Sequence, residues 1–272
     1  MIDAVYLTIN DLEQSLIFYK HGLGFRVHHQ TESTAALGAG ENDLLVLLEN
    51  KRAQRSLGTT GLYHFAVLVP SRAHLAHSLQ HLIEMKIPIG GFADHLVSEA
   101  IYLADPDGNG IEIYRDRPRH EWPFVNGQIQ MATDPLDVKD LLAEADGDNW
   151  NGLASKTIIG HVHLHVAQIS ESETFYQDVI GFNLMLRFGK SASFLSTDGY
   201  HHHLGINTWV GVGAPPPPAD CIGLRYFVLK LEDETAYIQI RDRIKQADLP
   251  HEETHSGIRI DDPSANTILL TT

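Results

Sequence analysis

The segment His95–Glu112, HLVSEAIYLADPDGNGIE, sets the plan of the chain. Its centre, Asp105-Pro106-Asp107-Gly108-Asn109-Gly110, is a tight turn: Pro106 presets φ, and Gly108, Asn109 and Gly110 tolerate positive φ. The flanks, EAIYL and GIEIY, alternate apolar and polar residues as half-buried strands do. Glu112 therefore points opposite to Ile111 and Ile113, into whatever the other face of the sheet encloses. A carboxylate on the inward face of a small sheet requires a cation.

The rest of the composition narrows the classes. The 272 residues suffice for one large domain or two ordinary ones. Twenty Lys and Arg against 35 Asp and Glu give a net charge of −15, which argues against nucleic acid and anionic membrane surfaces as partners. No apolar run approaches the roughly 18 residues of a membrane span. The opening MIDAVYLTINDLEQ lacks the pattern of a signal peptide. Cys221 is the only cysteine, so no intramolecular disulfide forms, and a reducing, cytoplasmic setting is expected. Seventeen histidines suit a metal enzyme without demonstrating one.

The chain repeats itself at an offset of 157 residues. Phe18-Tyr19, Gly24-Phe25, Asp105-Pro106 and Asn109 recur as Phe175-Tyr176, Gly181-Phe182, Asp262-Pro263 and Asn266. Each copy divides again, giving four units that open at Ala4 (AVYLTI), His64 (HFAVLV), His161 (HVHLHV) and Leu224 (LRYFVL). A helix follows each opening strand. Asn10 with Glu13, and Ser170 with Glu173, have capping-box spacing, and Ser71 is placed to cap a helix with Leu75, Leu79, Leu82 and Ile83 on one face. Three short strands then close each unit near residues 48, 114, 209 and 270. The expected architecture is α+β: four βαβββ modules forming two open barrel-like cups. Modules one and two span 1–115, a linker 116–157, and modules three and four 158–272. The linker carries a short helix with Asp134 as its cap and Pro135 at its first position.

These features resemble the vicinal-oxygen-chelate superfamily of glyoxalases, bleomycin-resistance proteins and extradiol dioxygenases. The spacing His95, Ile101-Tyr102, Asp105-Pro106-Asp107-Gly108, Glu112 is most similar to the catechol 2,3-dioxygenase branch, as is GYHHHLGINTW at 199–209. In this superfamily metal ligands sit on the first and last strands of a module. Module one offers Ala4 and the apolar strand LLVLL; module four offers Leu224 and, at the repeat of Glu112, Leu269. Modules two and three retain His64, Glu112 and His161, the composition of the facial triad of non-haem Fe(II) oxygenases. The catalytic cup should therefore be built jointly by modules two and three, whereas related extradiol enzymes more often draw all three ligands from their last two modules. Whether the two modules meet within one chain or across a dimer stays open.

The resemblance implies Fe²⁺, with Mn²⁺ using the same ligands, and a small aromatic diol and O₂ as substrates. It also implies a homo-oligomer by family habit. His202 is the implied acid/base, with His201 in reserve and His203 beside it. His95 is implied to bind a substrate- or oxygen-derived atom, and Tyr102 a substrate hydroxyl. Histidines 163 and 165 share the strand parity of His161 and are expected deeper in the barrel or behind the ligands. Phe194, Trp209, Trp122 and Phe124 are candidate walls or plain core residues. Two rivals stand beside this reading. One is a glyoxalase-like lyase or isomerase with a fourth ligand from the clustered histidines; the other is a non-catalytic small-molecule binder.

Overall fold

The computed structural model describes residues 1–145 and 150–272. Module one comprises β1 (Ile2–Ile9), α1 (Leu12–Leu16) running into a π-helical turn at Ile17–Gly22, β2 (Arg26–Gln30), β3 (Thr34–Gly38) and β4 (Asp43–Glu49). Module two comprises β5 (Gly61–Leu68), α2 (Arg72–Glu84), β6 (Gly91–Asp94), β7 (Ser98–Ala104) and β8 (Gly110–Asp116). The connection carries a two-stranded hairpin, β9 (Phe124–Val125) and β10 (Gln128–Ile129), then α3 (Val138–Ala143). Module three follows with β11 (Ile158–His165), α4 (Ile169–Thr174) and its π-helical turn at Phe175–Ile180, β12 (Asn183–Phe188), β13 (Ala192–Ser196) and β14 (Leu204–Asn207). Module four closes with β15 (Gly223–Lys230), α5 (Glu234–Gln246), β16 (His251–Thr254), β17 (Gly257–Asp261) and β18 (Thr267–Thr271).

The modules pair inner with inner and outer with outer. One eight-stranded sheet runs β12-β13-β14-β11-β5-β8-β7-β6, and the other β16-β17-β18-β15-β1-β4-β3-β2. Modules two and three thus share a sheet within one chain. In each sheet the two opening strands lie antiparallel at the centre, β5 beside β11 and β1 beside β15. Alternation along them divides the side chains between two environments. Val5, Leu7, Phe65, Val67, Val162, Leu164, Phe227 and Leu229 enter one continuous core with Leu75, Leu79 and Leu82 of α2. His64, Ala66 and His161 take the other face. No helix among the described residues is long and apolar enough to cross a membrane.

The repeat is also a repeated hydrogen-bond lock. Tyr19 donates its hydroxyl to Asp105 Oδ2 at 2.8 Å, and Tyr176 donates to Asp262 Oδ2 at 2.9 Å. Both tyrosines sit on π-helical turns and tie the helix of one module to the last turn of the next. The left-handed position of that turn is Gly108 in one copy (φ 83°) and Ala265 in the other (φ 62°). Of the three residues able to take positive φ, only Gly108 does so; Gly110 is required instead by the close approach of the Tyr63 carbonyl, 2.0 Å from where a Cβ would stand.

Helix starts depart from the sequence reading at three of four places. Ser71 caps α2 by accepting from the His74 N–H, but Ile83 turns away from the core and is 50% exposed. Asp11 caps α1, because the Asn10 side chain is drawn to the Lys51 and Ala53 carbonyls. At α4 the cap position is Gln168 without a side-chain bond. Glu173 instead lies buried, gripping Arg187 through two bonds and accepting from Ser193 Oγ. The linker helix starts at Val138 with Asp137 as its cap, since Asp134 is committed to a backbone bridge with Asp94.

Candidate metal centre

Three central strands deliver the candidate ligands. Ala66 on β5 stands opposite Glu112 of β8 on one side and His161 of β11 on the other. Its methyl group leaves space between them, and His64 projects from the same face two residues earlier. His64 Nε2 lies 3.0 Å and His161 Nε2 3.2 Å from Glu112 Oε2, and the two imidazole nitrogens are 3.2 Å apart. All three side chains are buried. Two ligands held about 2.1 Å from an ion lie about 3.0 Å apart at right angles and about 3.4 Å apart at tetrahedral angles. The observed separations of 3.0–3.2 Å fall within this range, so the three atoms are spaced to share one ion. Three donors form this group among the described residues.

The protonation states suit a cation. Burial alone would push the Glu112 carboxyl up, but the flanking His161 and His64 imidazoles outweigh it and hold it well below the usual carboxylate range. Burial pushes the His161 imidazole down to about 4 against the opposing pull of Glu112. The result is a carboxylate with a neutral imidazole donor beside it. The outward nitrogens, His64 Nδ1 and His161 Nδ1, are buried with no protein partner. Ring packing therefore orients these imidazoles: His161 lies against Tyr114 and His202, and His64 against Tyr63, Tyr102 and His163.

Two β-bulges shape the surroundings. Gly160 is the extra residue between the pairs Ile159–Val67 and His161–Ala66. A Cβ on Gly160 would come within 1.8 Å of the Tyr114 hydroxyl, so only glycine admits that ring beside His161. Tyr63 is the extra residue of the second bulge, between His163–His64 and Leu164–Leu62, and the bulge re-aims its ring into the cavity. His163, expected behind the ligands, stands directly opposite His64 and lines the cavity. His165 bonds to Asn207 Oδ1 through Nδ1. Sequence parity could not reveal Tyr63, because an inserted residue is invisible until its partner strand is known.

The cavity holds about 210 Å³. Its polar floor is His64, Glu112, His161, His163, Tyr102 and His95; Leu186, Phe188, Phe194, Trp209 and Met131 supply apolar walls. Trp122 packs instead on Tyr200 and His201, and Phe124 is exposed. Of the three consecutive histidines only His202 lines the cavity; His201 reaches Asp116, and His203 bonds to Ser196 Oγ. His95 Nε2 lies 2.6 Å from the Tyr102 hydroxyl, while His95 Nδ1 is 2.6 Å from the Ala132 carbonyl. A carbonyl only accepts, so Nδ1 carries a proton. The proton on Nδ1 leaves the Nε2 lone pair to accept from the Tyr102 hydroxyl.

The outer sheet shows what the same frame looks like without donors. Leu269 stands opposite Val228 as Glu112 stands opposite Ala66, so the counterpart of His64 is Tyr226 and not Leu224. The matching segments are Gly61-Leu62-Tyr63-His64-Phe65 and Gly223-Leu224-Arg225-Tyr226-Phe227; aligning them by the Gly-Leu pair would have placed Tyr226 correctly. There Tyr226 stacks on Tyr6 with ring centres 4.2 Å apart, and the Arg259 guanidinium lies 5.0 Å from the Tyr226 ring. With Ala4 and Leu269 at the other two positions, a lone phenol remains.

Comparison with known proteins agrees with this architecture. A family model described as "Glyoxalase/Bleomycin resistance protein/Dioxygenase superfamily" matches residues 1–113. A Bacillus subtilis (strain 168) protein named catechol-2,3-dioxygenase is 46% identical over 264 residues, covering 94% of this chain and 92% of that protein. The chain therefore belongs to the glyoxalase/bleomycin resistance protein/dioxygenase superfamily. Two solved structures share its fold. A putative dioxygenase from Bacillus subtilis has a TM-score of 0.67 at 12% identity, covering 99% of this chain and 84% of that one. Glyoxalase I from Zea mays has a TM-score of 0.60 at 14% identity, covering 99% and 91%.

Proposed function

We propose that the protein is an extradiol ring-cleaving dioxygenase, opening catechol-type rings with O₂ at Fe(II) held by His64, Glu112 and His161. The observation that carries this reading is the convergence of two imidazole nitrogens and one carboxylate oxygen within 3.2 Å, under an aromatic-walled cavity. The 46% identity to a protein named catechol-2,3-dioxygenase supports the same chemistry. Three donors, rather than four, favour it over a glyoxalase-like lyase. Mn²⁺ suits the same ligands.

Bound Fe(II) supplies a Lewis acid for the diol oxygens and a route for electron density from the diol to O₂. The chain supplies the remainder. Phe194, Phe188, Leu186 and Trp209 hold a flat ring and exclude water from it. A cavity of about 210 Å³ lies below the ~300–1,000 Å³ of sites for larger ligands and suits a single ring. His202, whose imidazole burial keeps neutral, accepts the diol proton and returns it as the ring opens. Tyr102, held by His95 at the cavity, hydrogen-bonds a substrate hydroxyl.

The test is oxygen uptake by anaerobically prepared, Fe(II)-loaded protein with a panel of small catechols, alongside Glu112→Gln. The expected result is stoichiometric O₂ consumption with a yellow semialdehyde product, and loss of both bound iron and turnover in the variant. No yellow product from any catechol would overturn the reading.

A further inference from the structure

Behind the cavity a line of hydrogen bonds runs to a carboxylate. His202 Nδ1 is 2.7 Å from His201 Nδ1, and His201 Nε2 is 2.8 Å from Asp116 Oδ1. The Tyr200 hydroxyl lies 3.0 Å from Asp116 Oδ2 and 2.8 Å from the Tyr114 hydroxyl. His201 is fully buried, while the Asp116 side chain is a quarter exposed.

The directions of these bonds follow from what each group can do. An ionised carboxylate only accepts, so Tyr200 and His201 Nε2 both donate to Asp116. A neutral His201 with its proton on Nε2 has a lone pair on Nδ1. The facing Nδ1 of His202 must then be the donor, which puts the lone pair of His202 on Nε2. That nitrogen has no hydrogen-bond partner among the described residues, and His202 lines the cavity. The opposite arrangement, with His202 protonated on Nε2, requires His201 to be doubly protonated or to break with Asp116.

We propose that Asp116 is a positioning residue which, through His201, holds His202 in the one neutral tautomer that presents a lone pair to the cavity. Asp116 touches neither substrate nor reacting atoms. It sets which nitrogen of His202 is available, as the buried aspartate of a catalytic triad sets the tautomer of its histidine. His201 is the relay of that constraint. The tautomer requirement rests on the ring-cleaving reading only in its kinetic consequence.

Nitrogen NMR decides it. The full-length chain, prepared without added iron and labelled with ¹⁵N-histidine, is assigned with His201→Gln and His202→Gln. In the unmodified chain His202 is expected as the Nδ1–H tautomer and His201 as the Nε2–H tautomer. Asp116→Asn is expected to make Nε2–H the major form of His202. In Fe(II)-loaded protein the same change should lower kcat with catechol roughly 100-fold, leave KM within about threefold, and be partly rescued in Asp116→Glu. An Nε2–H tautomer for His202 in the unmodified chain would overturn the proposal, as would a His202 tautomer indifferent to Asp116→Asn. The NMR result stands whether or not any catechol is cleaved, so failure of the ring-cleaving reading is read separately from failure of this one.

Discussion

Tyr226 and His64 occupy the same register position in two sheets of one polypeptide, and only His64 faces a carboxylate. Two residues ahead of each, a side chain the size of alanine or valine separates the central strands. The difference between the two cups lies in the donors at three positions, not in the frame.

Tyr226→His is therefore expected to leave iron at one ion per chain, because Ala4 and Leu269 bring no donor to the second cup. Elemental analysis after anaerobic reconstitution measures this directly. A second ion per chain would show that the outer cup needs less than a triad.

Tyr19→Phe and Tyr176→Phe each remove a hydroxyl donor to a buried aspartate. The backbone and side-chain N–H groups of Asn109 or Asn266 still bind that carboxyl, so the loss is partial. Each variant should lose about 1–3 kcal/mol, a drop of several degrees in Tm for a chain of this size. Unchanged Tm in both would mean that the locks are ornamental to stability.

Acid should weaken the metal-free fold before it reaches the carboxylates. Burial pushes His161 down to about 4 and His203 to about 3, and His202 falls well below its ordinary 6.5. Between those values and 6.5 the unfolded chain binds protons that the folded chain refuses, so stability is complete above about pH 6.5 and is lost as pH falls. Each such histidine costs roughly 2 kcal/mol by pH 5. Burial raises Asp105 and Asp262, whose opposite contribution lies in the carboxylate range. Calorimetry of the metal-free chain should show Tm declining steadily from pH 7 to 5; a flat profile would contradict the buried neutral imidazoles.

Gly205→Ala tests the cavity wall. A Cβ there would stand 2.8–2.9 Å from three atoms of the His163 ring. Backbone strain plays no part, since Gly205 does not adopt positive φ. The ring must move toward the space kept for the substrate, at a cost of about 1–3 kcal/mol. KM for the diol should rise while iron content holds at one per chain. Steady-state kinetics beside metal analysis separates this from loss of the ligands.

The sequence discloses the frame and the donors far better than the walls. Glu112 was legible from the alternation along its strand, and Tyr102 and His95 from a spacing that resembles the extradiol signature. His64 and His161 were legible because each lies on a module's opening strand, where the resemblance places metal ligands. Tyr63 was hidden by a β-bulge, which shifts parity only when two distant strands pair; His163 shares the strand parity of His161, but its place opposite His64 follows only from the pairing of β5 with β11. Met131, Ala132 and Thr133 reach the cavity from the linker, whose course no periodicity encodes. The helix caps went astray for a related reason: Asn10, Asp134 and Glu173 have good capping chemistry, but each finds a stronger partner across the fold.

The nesting of module pairs has a consequence for synthesis. Strand β11 follows β5 after about 100 residues, so the sheet bearing the donors can assemble while the last module is still being translated. Strand β1, by contrast, finds its antiparallel neighbour, β15, only after some 220 further residues have been made. During that interval its edge toward β15 is unpaired, with Val5, Leu7 and Ile9 awaiting the rest of their core. Among the four central strands, β1 thus waits longest for its partner and is most in need of shelter from aggregation.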